Sequence, residues 1–116
     1  MFNCREGKLS GILKIKSGVA INGLRTEALL GLIIAHSIFT SFGYDTILVS
    51  VVEAPHSRGS FHYVGLAFDL RRRHVKEEDL NPIHEALTEA LGIQYDVVLE
   101  PDHWHIEYQP KKGVNL

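Results

Sequence analysis

Two stretches of this chain carry residues able to do chemistry. Ser60-Phe61-His62-Tyr63-Val64-Gly65-Leu66-Ala67-Phe68-Asp69 holds a His and an Asp seven positions apart. Glu100-Pro101-Asp102-His103-Trp104-His105-Ile106-Glu107-Tyr108 holds two His at alternate positions, with two carboxylates just before them. Two imidazoles and a carboxylate are a common ligand set for a catalytic zinc with one position left open. Of the seven histidines (His36, His56, His62, His74, His84, His103 and His105), four fall in or beside these stretches. Each fragment alone has an ordinary explanation, such as a half-exposed histidine pair on a strand. Joined, and with small residues spaced between them, they point to a metal site.

The elements that must position these side chains follow from periodicity. Gly65 to Arg71 alternates, with Leu66, Phe68 and Leu70 on one side and Gly65, Ala67 and Asp69 on the other. The small side chains leave a hollow beside Asp69, into which His62 can fold from the preceding turn. Residues 103–109 alternate in the same way, with His103, His105 and Glu107 set against Trp104, Ile106 and Tyr108. If the two strands lie close, His62, Asp69 and one of the two histidines converge.

Elsewhere, residues 11–16 read as a short strand and Asn22-Gly23 as a turn. Thr26 is a plausible N-cap, with Glu27 in the first turn, for a helix running to about Phe42 and stopped by Gly43. Its apolar residues leave it hydrophobic nearly all round, which places it centrally against a sheet. Residues 47–52 are apolar on both faces, as in an interior strand. A second helix spans about 77–91, with Leu80, Ile83, Leu87 and Leu91 on one face and Gly92 at its end. Pro82 either sits near its first turn or splits off a short leading turn. Tyr95 to Leu99 is a further strand. His36 and His84 read as packing or surface histidines. Arg71-Arg72-Arg73-His74 reads as a solvated basic turn, with a clamp for a substrate carboxylate as its alternative. The pattern predicts one α+β domain over 1–116: a small, mainly antiparallel sheet with two main helices packed on one face.

Composition narrows the function classes. A chain of 116 residues that is 45% hydrophobic and 22% charged is long enough for a real core without disulfides. A net charge of −2, with no acidic or basic block long enough to act as a tail, argues against a nucleic-acid partner. Cys4 is the only cysteine and has no internal partner. No exported leader and no apolar run of membrane-spanning length is visible, so the expectation is a cytoplasmic monomer when made, with no membrane partner.

The first stretch, Ser-x-His-x-x-Gly-x-Ala-x-Asp, fits at every defined position a motif of the D-alanyl-D-alanine metallopeptidase family. Together with an acid shortly before a later His, it makes the chain resemble that family, and its short phage-encoded members in particular. The family comprises D,D-carboxypeptidases, D,D-dipeptidases, phage L-alanyl-D-glutamate endolysins and the related fold of the hedgehog signalling domain. The looser likeness runs from about Ile21 to Pro110.

The resemblance implies zinc held by His62, Asp69 and a histidine of the last strand. The family's acid stands three residues before its ligand His. Asp102 with His105 fits that frame best, and Glu100 with His103 also has the spacing. His105 is therefore the expected ligand and Asp102 the expected catalytic carboxylate. His103 becomes a hydrogen-bonding partner of the ligands or a donor to the transition state, and Glu100 stands in reserve for Asp102. The implied activity is hydrolysis of a cell-wall peptide, with Asp102 carrying the proton from water to the leaving amine. Arg58 and Ser60 are candidates for substrate contact. Carboxypeptidase and dipeptidase members carry an Arg just after the interior strand, where this chain reads Val49-Ser50-Val51-Val52-Glu53. That departure suits an endopeptidase better than an enzyme specific for D-Ala-D-Ala. Reaching the wall would require a separate route, such as a phage-encoded pore. The alternative is a non-catalytic, zinc-stabilised structural or binding module, such as a phage assembly part.

Overall fold

A computed structural model of the chain describes residues 11–52 and 66–109. His62, Arg58, Ser60, Gly65 and Glu53 lie outside the described residues.

Five strands form one mixed sheet: β1 (Leu13–Ile15), β2 (Thr46–Val52), β3 (Ala67–Arg71), β4 (Tyr95–Leu99) and β5 (His103–Tyr108). Their order is β1-β2-β3-β5-β4. Only β1 and β2 are parallel, because the helix between them, α1 (Thr26–Ser41), supplies the crossover that parallel neighbours need. The other pairs are antiparallel. A second helix, α2 (Glu77–Leu91), links β3 to β4. The α+β architecture, with both helices against the sheet, is as the sequence predicts.

Period-two alternation divides the sheet into a core side and a side that carries no helix among the described residues. Leu48, Phe68, Leu70, Trp104 and Ile106 are fully buried against Leu32, Ala35 and Phe39 of α1 and Ile83 and Leu87 of α2. Trp104 meets Phe39 edge to face at 5.3 Å, and its indole N–H donates to Nδ1 of His84 at 3.2 Å. His84 is thus a packing residue, because a buried indole N–H needs an acceptor. His36 shares a 2.7 Å hydrogen bond with the buried Thr46 hydroxyl, and His74 Nε2 lies 2.8 Å from the Asp45 carbonyl.

Helix α1 differs from expectation at two points. Arg25, with extended backbone and no side-chain cap bond, is the N-cap, and Thr26 is already helical. Only one face of the helix is covered: Ala28, Gly31, Leu32, Ala35 and Phe39 are buried, while Leu30 and Ile33 are more than half exposed. The helix therefore lies on the sheet beside α2 rather than at the centre. Gly31 allows this approach, since a Cβ there would come 2.7 Å from the Tyr95 ring, whose hydroxyl donates to the Glu27 carbonyl. Gly43 ends the helix at φ +88°, as predicted.

Helix α2 occupies the expected span, with Glu77, Glu78 and Asp79 in its first turn and the four predicted leucine and isoleucine positions buried. Pro82 is accommodated inside one continuous helix. Among the described residues no helix is long and apolar enough to cross a membrane.

Candidate metal centre

Strands β3 and β5 are direct neighbours, and their register sets Asp69 opposite His105 and Arg71 opposite His103. Because side chains alternate, Asp69, His103 and His105 all project from the face opposite the core. One ligand atom from each of the three lies within 4.8 Å of the others, so the cluster could hold a metal ion. Both histidines of the His-x-His pair converge on Asp69, where sequence reasoning expected one.

The geometry inside the cluster is specific. Nδ1 of His105 lies 2.8 Å from Oδ1 of Asp69, and Nε2 of His103 lies 3.6 Å from the same oxygen. Donors held at ~2.0–2.1 Å around a tetrahedral metal stand about 3.4 Å apart. The His103 separation is already close to that value. The His105 separation is a hydrogen bond that must open by about half an ångström as a metal ion replaces the shared proton. Both separations from Asp69 thus lie within about half an ångström of the spacing a metal sets, and all three donors lie within 4.8 Å of one another.

Each candidate ligand is also held from behind by another residue. The Ser50 hydroxyl donates to Oδ2 of Asp69 at 2.8 Å. Nδ1 of His103 lies 2.6 Å from Asp102, which leaves Nε2 facing Asp69. Nε2 of His105 lies 3.2 Å from Glu107, which accepts in turn from Gln109 at 3.2 Å. Such outer partners fix the tautomer and ring orientation of ligating histidines.

Ser50 reaches Asp69 through an irregularity in β2. Strict alternation would point it the same way as the buried Leu48. A register shift between Leu48 and Ser50 instead sets Leu48 opposite Leu70 and Ser50 opposite Asp69. A bulge re-aims the side chains that follow it, so Ser50 faces the site and Val51 packs on the core.

The local charges favour the ionised pair. Burial pushes the Asp69 carboxyl up, but hydrogen bonds from His105 and Ser50 and the nearby imidazoles outweigh it and hold the group below its ordinary range. The Asp69 hydrogen bond raises the His105 imidazole to about 9, against burial and with help from Glu107. Without metal, a proton on His105 closes the cluster.

The other predicted site residues fall as follows. Asp102 lies at the tip of the turn between β4 and β5, with its carboxylate 85% exposed and bound to His103. Glu100 closes that turn through its backbone: its N–H donates to the His103 carbonyl, and its own carbonyl accepts from Arg72 at 2.7 Å. Ala67 is fully buried, so no open hollow lies at that residue. Free space opens instead along Asp69, His103 and Asp102, in a cleft of about 690 Å³.

Sequence reasoning assigned no role to Ser50 or Glu107. Ser50 is the single hydroxyl in the run Ile47 to Val52, and Glu107 shares the strand face of the two histidines; those were the available signals. No protein-family model, curated protein or solved structure matches this chain.

Proposed function

We propose that the chain is a zinc-dependent peptidase that hydrolyses peptide bonds of peptidoglycan, as a D,D-carboxypeptidase or an L-alanyl-D-glutamate-type endopeptidase. The observation that carries this reading is the paired construction of the cluster. Three inward-facing donors each have a separate outer partner: Ser50 behind Asp69, Glu107 behind His105 and Asp102 behind His103. Surface histidines that meet by chance do not need that second layer.

A set of two imidazoles and one carboxylate suits zinc among the biological cations. Bound zinc supplies Lewis acidity toward water and toward a substrate carbonyl. Asp69 and His105 would hold it, with the third ligand drawn from His103 or from His62 of the resembled motif. With His62 as the third ligand, Asp102, exposed at the edge of the cleft, would take the proton of the attacking water and deliver it to the leaving amine. When His103 is a ligand, Asp102 instead stands behind its ring and keeps Nε2 directed at the cluster.

The test is to incubate the pure, zinc-loaded protein with peptidoglycan and identify released peptides by mass spectrometry, for the parent chain and for Asp102→Asn. The amide oxygen of Asn can still accept from His103, so zinc content should hold while turnover falls by about 10²–10⁴-fold. Stoichiometric zinc without any cleavage by the parent chain would sink the enzyme reading and point to a zinc-stabilised binding module. Undiminished turnover in Asp102→Asn would remove Asp102 from the chemistry.

A further inference from the structure

Past the ligand cluster, the β3–β5 ladder continues to Arg71, which shares a face with Asp69 and stands opposite His103. The cleft that begins at Asp69 and His103 is walled there by Lys16, Arg71 and Arg73. Arg72 also lines it, but its guanidinium donates to the Glu100 carbonyl and serves the turn. The carboxylates of the cleft near the cluster are engaged, Asp69 by His105 and Ser50 and Asp102 by His103. Among the described residues, none of Lys16, Arg71 and Arg73 has a carboxylate partner. Glu77, at the start of α2, is the carboxylate of the wall that competes for them. Like charges gathered in a concave wall focus the field and favour an anion of matching size.

We propose that Lys16, Arg71 and Arg73 form an anion-binding subsite that seats a carboxylate of the substrate peptide beside the metal cluster. The hydrolytic meaning of this subsite rests on the peptidase reading; its binding of a carboxylate does not. Arg71 is the anchor. It is half-buried and carried on a strand, whereas Lys16 and Arg73 are exposed. Two positions along a strand separate it from Asp69 by about 6.6 Å. That is the span of about two extended peptide residues. The carboxylate seated there therefore belongs to the residue that carries the scissile bond or to its neighbour. Arginine suits this task because its planar fork meets a carboxylate through two parallel hydrogen bonds.

The experiment uses a synthetic cell-wall stem pentapeptide with its carboxylates free and the same peptide with them amidated. Both are titrated calorimetrically into the full chain, with and without saturating zinc. The free acid should bind at least about tenfold tighter, as expected for a charge-assisted hydrogen bond. Arg71→Gln should reduce that preference to less than about twofold, and Arg71→Lys should keep part of it. Zinc uptake by equilibrium dialysis should be unchanged in both variants. Equal binding of acid and amide, no binding of either, or a preference that survives Arg71→Gln would each overturn the proposal. Should Arg71→Gln fail to fold, the double variant Lys16→Gln/Arg73→Gln, on exposed side chains, must still lower the preference at least threefold, and no change there overturns it too. Failure of the parent chain to take up zinc would sink the metal reading alone, because the preference is also read without zinc.

Discussion

Phe68, Leu70, Trp104 and Ile106 are fully buried, while Asp69, His103 and His105, interleaved with them on the same two strands, keep 16%, 27% and 25% of their side-chain surface open. On one side, β3 and β5 are held to the helices by close-packed apolar atoms. On the other, they are held by hydrogen bonds that run from Ser50 through Asp69 and His105 to Glu107 and Gln109. The backbone is common to both, and position parity alone decides which role a residue has. A slip of one residue would place Asp69 in the core without partners, a cost no small domain tolerates. The apolar side therefore fixes the register that the polar side depends on. The polar side contributes little apolar burial of its own, so it can be altered with limited damage to the fold.

The sharpest way to break this division is Trp104→Ala. It empties the largest buried side chain and leaves His84 Nδ1 without its donor. The expected loss is about 3–5 kcal/mol, a large share of a small domain's stability, read from urea unfolding in chelator. A loss below about 1 kcal/mol would show that β5 is not anchored as described. On the opposite face, Asp69→Ala should cost less in chelator, because its surroundings are partly hydrated. It should nevertheless abolish tight zinc binding. It should also remove the rise in melting temperature that zinc confers on the parent protein, since a ligand that binds only the folded state stabilises it. Equal melting temperatures of the parent with and without chelator would count against a metal site. Next in size, Glu107→Gln leaves the first ligands intact and weakens the hold on His105. Zinc affinity should fall about 10–100-fold, with folding almost unchanged.

The two faces were not equally legible in the sequence. Helix α2 and strands β3 and β5 could be read because burial on one side imprints a period, and because Gly92 and Gly43 stop the helices where left-handed backbone is needed. The covered face of α1 could not be read, since a helix that is apolar nearly all round gives no sign of which residues meet the sheet. The cap was misplaced to Thr26 because the hydroxyl preference at helix starts is only a statistical tendency, and here the chain enters through Arg25. In the site, alternation foresaw that Asp69 could meet one histidine of the last strand, and the choice of His105 came from the resemblance alone. The convergence of His103 as well depended on a register that only pairing reveals. Ser50 was hidden more deeply, since period two sends it to the core and only the shift after Leu48 turns it toward Asp69.

The smallest and most discriminating effect expected is on pH dependence. In the metal-free protein the His105 imidazole is raised from 6.5 to about 9, chiefly by its hydrogen bond to Asp69. Its folded value exceeds its unfolded one, so the stabilisation is complete below 6.5 and is lost as pH rises through about 9. Asp69 is held below its ordinary 3.8, so its contribution is present above that value and disappears as pH falls through the lowered one. Unfolding measured in chelator should accordingly weaken from pH 6.5 toward 9, and His105→Gln should flatten that limb. Zinc affinity should run the other way over the same range, because the metal must displace the proton that closes the cluster. Opposite slopes, both abolished by His105→Gln, would show that one residue serves the proton-closed and the metal-bound states. A stability curve in chelator that stays level from pH 6.5 to 9 would show that the His105–Asp69 pair is not ionised in solution.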